Sequence, residues 1–368
     1  MTTLVKPQHA LDAIKLYVPG KPIEEVKREF GLTDVIKLAS NENPLGASPK
    51  VLAALHTALD EINYYPDAQS YYLREALSRR LGLPADQIAL GNGADGLIRE
   101  VCVAYLEEGD EVIVSRSSFP VYDVSTQVMG GRLIKTELKS NGLDLAAMAA
   151  AITPRTKVIF VCNPNNPTGT IVTAPEVEQF MARVPGQVLV IFDEAYYEFA
   201  DSSEYPDSLR YVREGRKNVV VMRTFSKVYG IAGIRLGYAL ACPEVMTALL
   251  TVRESFPVNR LAQAAGLAAL EDDEFLRRTV EMNHAGRLYL YREFERLGLS
   301  FTRSHTNFVL VRVGPQAGKL FQALLRQGVI VRPCTGYDLP EYVRITVGTS
   351  EQNARLIRAL ETVLPALN

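Results

Sequence analysis

The chain has few cysteines, no excess of either charge and no long apolar run, and each shortage excludes a class of protein. Only four cysteines occur among 368 residues. Cys102, Cys162, Cys242 and Cys334 are widely separated, sit in mostly apolar surroundings and form no CxxC pair. Buried free thiols are therefore expected, rather than a zinc site or a disulfide framework. Forty basic against 42 acidic side chains give a formal charge of -2, which supplies no electrostatic reason to bind nucleic acid or an anionic membrane. No segment approaches the roughly 20 apolar residues that cross a bilayer. The opening MTTLVKPQHALDAIKLYVPG carries Lys6, Asp12 and Lys15 and never becomes the apolar core of a secretory signal. A cytoplasmic protein is expected. The four histidines, His9, His56, His284 and His305, have no companions at metal-ligand spacing, so no metal is expected. Neither repeats nor low-complexity tracts occur.

What is present is ordinary soluble composition in a chain long enough for one large domain and a smaller one. Amphipathic helices alternate with short apolar runs, which predicts an α/β fold with a mostly parallel sheet flanked by helices. A helix is expected over 49–62, with Ser48 as cap, Pro49 at its first position and Val51, Leu52, Leu55, Leu59 and Ile62 as its apolar stripe. Another spans 70–81, and a third begins near Ala94. The runs at 111–114, 157–162, 188–192 and 219–222 are short, rich in valine and isoleucine, and read as buried strands. Thr173 and Glu176 have capping-box spacing for a helix to about residue 183. Beyond residue 243 the texture changes. Helices over 244–255 and 274–297, a strand at 307–313, a helix at 316–327, a strand at 342–347 and a helix capped by Ser350 describe a smaller α+β domain. The expected division is an N-terminal arm (1–45) packing on the small domain or a partner subunit, a large domain (46–255) and a small domain (256–368).

Functional loops of such a sheet lie at the carboxyl ends of its strands, and the chemically unusual residues fall there. GNGADG, residues 91–96, resembles a dinucleotide fingerprint, but two helices precede it and no acid follows at the required distance. The physics that survives is a helix start whose small residues let an anion approach the backbone, with Gly93, Ala94 and Asp95 as the cradle. A bare tight turn would have the same letters. VCNPNNPTG, 161–169, places Asn163, Asn165 and Asn166 directly after a strand. IFDEAYYEF, 191–199, delivers Asp193 from an apolar strand, where a carboxylate is costly unless paired or functional. A protonated aromatic nitrogen would stabilise it, and Tyr196 could reach a phenolate oxygen on the same ring. VVMRTFSKVYGIAGIRLGYAL, 220–240, ends a strand in Thr224, Ser226 and Lys227, with Arg235 eight residues beyond the lysine. Two hydroxyls and a guanidinium suit a phosphate. A lysine beside them suits imine formation when its amine is desolvated or surrounded by cations. Lysine, acid and phosphate clamp are the set that cofactor-borne carbanion chemistry needs.

In this order, the motifs resemble the fold-type I pyridoxal-phosphate enzymes, specifically the class I/II aminotransferases. The resemblance runs over nearly the whole chain, from YVPGKPIEEV and KLASNENPLG to YVRITVGTSEQN. It implies pyridoxal 5'-phosphate held covalently by Lys227, with Asp193 at the ring nitrogen and Asn166 and Tyr196 at the ring oxygen. It implies a phosphate bound by Gly93, Ala94, Asp95, Thr224, Ser226 and Arg235. Phe119, in SSFPVY, takes the ring-stacking position, where relatives often carry tyrosine. Tyr65, in NYYPD, would reach the cofactor of a second subunit, which implies a homodimer with shared sites. Arg344 corresponds to the arginine that receives an α-carboxylate, and Arg332 to the one that grips a substrate phosphate. Tyr17, Asn41 and Glu42 would edge the substrate pocket. In detail the similarity is to the branch that transaminates between L-histidinol phosphate and 2-oxoglutarate, giving imidazole acetol phosphate and glutamate. Three other readings stay open: an aromatic or broad-range aminotransferase, a phosphothreonine-type decarboxylase, and a non-catalytic binding protein on the same fold. Product analysis separates the second, and failure to take up the cofactor would mark the third.

Overall fold

The computed structural model describes residues 5–14 and 20–367. Seven short runs form its main sheet: β1 (Ile88–Asn92), β2 (Glu111–Ser115), β3 (Arg132–Thr136), β4 (Thr156–Cys162), β5 (Leu189–Asp193), β6 (Val219–Thr224) and β7 (Leu236–Ala241). Their spatial order is β1-β7-β6-β5-β4-β2-β3. The pairs among β2 to β6 are parallel, and β7 alone runs against its neighbours β1 and β6. The mostly parallel sheet expected from the valine- and isoleucine-rich runs is thus present.

Burial on both faces explains those runs. Along β5, Val190 and Phe192 enter one core with Val177, Phe180 and Met181 of helix Ala174–Arg183. Leu189 and Ile191 enter the opposite core with Leu97, Ile98 and Val101 of helix Gly93–Tyr105. Alternate residues point to opposite faces, so a strand covered on both sides must be apolar throughout. Burying each such side chain contributes about 1.5–3 kcal/mol. Edge strand β3 and the antiparallel β7 were not anticipated. RLIKT is half polar because it lies at the sheet's edge, and LGYALA lacks the β-branched residues that mark a strand.

The expected caps are mostly where the spacing placed them. Ser48 Oγ accepts from the Val51 amide at 3.2 Å, and Thr173 with Glu176 forms a capping box. The last helix is capped by Thr349 rather than Ser350, with Gln352 completing its box. The 49–62 helix is shorter than expected, Pro49–Ala58 followed by a single turn. Its stripe also divides: Val51 is buried, while Leu52, Leu59 and Ile62 are 48%, 47% and 62% exposed. Only one edge of this helix meets helix Arg260–Leu270, whose Ala262, Ala265 and Ala269 enter the larger core. That helix, which the sequence reading did not identify, accordingly packs with the main sheet.

A second, antiparallel sheet comprises β8 (Ser300–Thr302), β9 (Phe308–Arg312), β10 (Arg332–Pro333) and β11 (Tyr342–Thr346), in the order β8-β9-β11-β10. Helices Ala317–Arg326 and Ser350–Val363 cover it through Leu320, Leu324, Leu356 and Leu360. The 24-residue helix Asp273–Arg296 spans both units. Leu276 and Val280 pack on the larger core, and Leu290 and Phe294 on the smaller. The preceding arm pairs Ile36–Lys37 in parallel with Val329–Ile330. Val26 of helix Ile23–Phe30 packs with Leu325 and Ile330. Among the described residues, no helix is long and apolar enough to cross a membrane.

Candidate active site

The parallel strands deliver their carboxyl ends to one cavity of about 260 Å³, closed from the other side by the arm and the small sheet. It is lined by Lys227, Asp193, Asn166, Tyr196, Arg235, Arg332 and Arg344 together with Asn41 and Glu42.

Lys227 follows β6 by three residues. Its Nζ lies 3.5 Å from the Ser40 carbonyl and 5.8 Å from the centre of the Tyr196 ring. Withdrawal from water, and then the charge of Arg344, lower its pKa to about 8, with Arg235 adding and Asp95 and Glu42 opposing. Near physiological pH a far larger fraction of such an amine is neutral than of an ordinary lysine, and that fraction can attack a carbonyl.

Asp193, the last residue of β5, is 2% exposed. Tyr122 Oη donates to its Oδ2 at 2.6 Å, and the Ala195 amide donates to its Oδ1 at 3.2 Å. Burial raises its pKa to about 6 despite those two bonds. No cationic side chain is among the causes of its shift, so a cation arriving from the cavity would find an unneutralised acid. A protonated pyridine nitrogen is such a cation.

The anion cradle is built from three segments. Asn92 offers no side-chain cap to helix Gly93–Tyr105, which leaves first-turn amides without that partner. Gly93 has φ +72°, and a Cβ there would stand 2.5 Å from Arg235 Nη2. Gly237 on β7 lies against the same helix start, where a Cβ would be 2.6 Å from the Ala94 nitrogen. Thr224 Oγ1 donates to Ser226 Oγ at 2.9 Å, and Arg235 Nη2 is 3.4 Å from the Asp95 carboxylate. Amides, two hydroxyls and a guanidinium round a space only glycine leaves open fit a phosphate dianion. The Asp95 carboxylate is turned to Arg235, which leaves the backbone amide as the group this residue could offer an anion.

Of the three loop asparagines, only Asn166 lines the cavity. Asn163 Oδ1 accepts from the Val172 amide at 3.0 Å. Asn165 Nδ2 donates to the Ser117 carbonyl and to Thr168 Oγ1. These two shape the loop, and Asn166 is presented by it. Asn166 Oδ1 accepts from Arg344 Nη1. Arg344, 4% exposed, also donates to the Ala39 carbonyl at 2.8 Å and Tyr337 Oη at 3.2 Å. Tyr196 Oη accepts from Asn41 Nδ2 at 2.8 Å. Asn41 is itself held by Thr346 Oγ1 and by Asn307, whose Nδ2 donates to the Asn41 carbonyl. Glu42 pairs with Lys37 at 2.7 Å at the cavity edge. Phe119 lines the wall beside Asp193.

Tyr17 is outside the described residues. Tyr65 is 77% exposed and stacks on Phe256 at 4.5 Å, lining a separate surface hollow with Ile62, Tyr64 and Arg260. Sequence reasoning missed Tyr122, Tyr337 and Ser40. Tyr122 stands three residues after Phe119 at a helix start, a spacing that could have marked it as a neighbour of the same wall.

A lysine with a lowered pKa, a buried acid and an anion cradle, at the strand ends of this α/β sheet, define a pyridoxal-phosphate-dependent enzyme. The chain belongs to the aminotransferase class I and II family, which matches residues 33–360. It is 49% identical over 364 residues to histidinol-phosphate aminotransferase from Moorella thermoacetica, covering 99% of this chain and 94% of that one. It is 45% identical to histidinol-phosphate aminotransferase 2 from Carboxydothermus hydrogenoformans, over 97% of this chain and 99% of the other. The histidinol-phosphate aminotransferase of Sinorhizobium meliloti, solved with pyridoxal-5'-phosphate, superposes with a TM-score of 0.90 at 29% identity and full coverage of both chains.

Proposed function

We propose that this enzyme transfers the amino group of L-histidinol phosphate to 2-oxoglutarate, giving imidazole acetol phosphate and L-glutamate in histidine biosynthesis. The observation that carries the substrate is a pair of arginines, Arg332 and Arg344, directed into the cavity that holds Lys227. One takes a phosphate and the other a carboxylate, so a single pocket accepts two unlike amines. The names of the relatives point the same way.

Bound pyridoxal phosphate supplies an electron sink for the pair left when the substrate α-carbon loses its proton. The residues of the chain do the rest. Lys227 would hold the cofactor through its amine, and as a free amine it would carry the proton away from the substrate α-carbon. Asp193 keeps the ring nitrogen protonated. Asn166 and Tyr196 would hydrogen-bond the ring oxygen, and Phe119 would cover the ring's face. Gly93, Ala94, Asp95, Thr224, Ser226 and Arg235 hold the phosphate. Arg344 receives the glutamate α-carboxylate, Arg332 receives the histidinol phosphate dianion, and Asn41 and Glu42 edge the pocket. The working form is a cytoplasmic homodimer, with the exposed Tyr65 of each subunit reaching the other's cofactor phosphate. The exposed aromatic surface around Tyr64, Tyr65, Tyr71, Tyr72 and Phe256 supports that arrangement.

The test is kcat/KM for histidinol phosphate against phenylalanine, with 2-oxoglutarate as acceptor and glutamate as the measured product. A preference of at least ~100-fold, about 2.7 kcal/mol of transition-state discrimination, is expected. Equal or reversed preference would move the assignment to an aromatic or broad-range aminotransferase.

A further inference from the structure

Asp193 is held from behind as well as facing the cavity. Tyr122, in helix Val121–Val128, is 1% exposed. Its ring stacks on Phe160 of β4 at 4.5 Å and 9°, and Phe119 meets it edge-on at 5.6 Å and 83°. A ring clamped in this way has one direction in which to point its hydroxyl, and that direction is Asp193 Oδ2, at 2.6 Å. The Ala195 amide takes the other oxygen, so both oxygens are tied and the plane of the carboxylate is set. Each retains acceptor capacity for a donor in the cavity.

We propose that Tyr122 is a positioning residue for transamination, its phenol orienting the Asp193 carboxylate while its ring backs Phe119. One buried side chain then sets both the acid at the ring nitrogen and the cover of the ring's face. The inference rests on the roles given above to Asp193 and Phe119.

The electrostatics agree with this geometry. Burial raises the Asp193 pKa to about 6, and the Tyr122 hydrogen bond is the largest influence pulling it down. The Ala195 amide assists, while the carboxylates of Asp95 and Glu194 oppose. The Cys162 thiol, opposite Asp193 in the sheet, has its own pKa pushed up to about 12 and stays neutral. Losing the phenol therefore leaves Asp193 protonated over a wider range of pH. A protonated Asp193 is a poor partner for a pyridinium, so cofactor binding loosens as pH falls through its titration.

The experiment measures equilibrium binding of pyridoxal phosphate to cofactor-stripped protein across acid to mildly alkaline pH. Wild type, Tyr122→Phe, Asp193→Asn and the double variant are compared, together with kcat and KM of the loaded enzymes. Tyr122→Phe keeps the ring in its stack and removes one hydroxyl. It should move the acid limb of binding up by about one pH unit, a tenfold change in proton affinity. It should also lower kcat about tenfold, leave KM within roughly twofold, and cost less than about twofold more in the Asp193→Asn background, where the charge it supports is gone. An unmoved acid limb, or an equal effect of Tyr122→Phe in both backgrounds, overturns the proposal even if melting shows a loss of stability. Failure of the underlying reading looks different. Asp193→Asn would then bind cofactor and turn over like wild type, and the proposal would fall with it.

Discussion

Arg332 on β10 and Arg344 on β11 are directly opposed residues of one antiparallel pair. Opposed residues share a face of the sheet, and like charges in that relation are destabilising. Two guanidinium groups converging on the cavity of Lys227 make chemical sense as receivers of anions. Each should then answer to its own substrate. Arg332→Ala should lower kcat/KM for histidinol phosphate by about 10- to 100-fold, the worth of a hydrogen bond to a charged group. The glutamate half of the reaction should change by less than about fivefold. Arg344→Ala should weigh more heavily on glutamate. Steady-state kinetics run in both directions reads the split. Equal losses on both substrates for Arg332→Ala would remove its phosphate-binding role.

The Lys227 amine should titrate in the cofactor-free protein near its lowered pKa of about 8. Below that pH it is protonated and inert toward aldehydes, and above it neutral and reactive, so the rate of cofactor capture should rise through this range. Of the charges that lower the pKa, Arg344 is the largest cause. Arg344→Ala should therefore move the midpoint upward and slow capture at neutral pH. Capture rate against pH, with borohydride trapping and mass measurement, follows both effects. Lys227→Ala should give no trapped adduct at any pH.

Much of this site could be read without coordinates because its residues break a local rule. Asp193 and Lys227 are charges at or just beyond the ends of apolar strands, and Arg235 and Gly93 carry their chemistry in their residue types. What stayed hidden depends on chain path. Asn163, Asn165 and Asn166 are equivalent by type, and only the loop's route turns the third to the cavity while the other two bind backbone. Tyr122 reads as an ordinary apolar position of a helix until β4 and β5 are paired beneath it. The opposition of Arg332 and Arg344 is a matter of register between residues twelve apart in sequence. In the fold, β-branched runs identified the buried strands. The antiparallel β7, rich in alanine and leucine, could not be told from a helix by pattern.

The phosphate cradle should be sensitive to single methyl groups. A Cβ at Gly237 would meet the Ala94 nitrogen at 2.6 Å, and one at Gly93 would meet Arg235 while forcing an unfavourable φ of +72°. Gly237→Ala and Gly93→Ala should each weaken pyridoxal phosphate at least about tenfold by displacing one wall of the cradle, roughly 1.4 kcal/mol. Gly186→Ala, where a Cβ meets nothing within 4 Å, should bind as wild type does. Cofactor titration of the three stripped variants decides it. Unchanged affinity in Gly237→Ala would show that the helix start does not hold the phosphate.

The last prediction concerns a charge pair directly behind the site. Arg223 and Glu194 are 5% and 1% exposed, and the Arg223 Nε and Nη2 both meet Glu194 Oε2, at 2.9 and 2.8 Å. Tyr197 lies over the guanidinium at 3.6 Å. The pair adjoins the site on both strands, since Glu194 follows Asp193 and Arg223 precedes Thr224. Removing one member strands the other charge away from water. Glu194→Ala should therefore cost about 3–5 kcal/mol of unfolding free energy. Replacing both with apolar residues of similar volume, Glu194→Leu with Arg223→Met, should cost much less, because neither member of the pair is left as an unpaired charge. Urea unfolding of the cofactor-free proteins tests this order. If the double replacement is as unstable as Glu194→Ala, the loss comes from packing against Tyr197 and its neighbours, and the charge pair is not what joins these two strand ends.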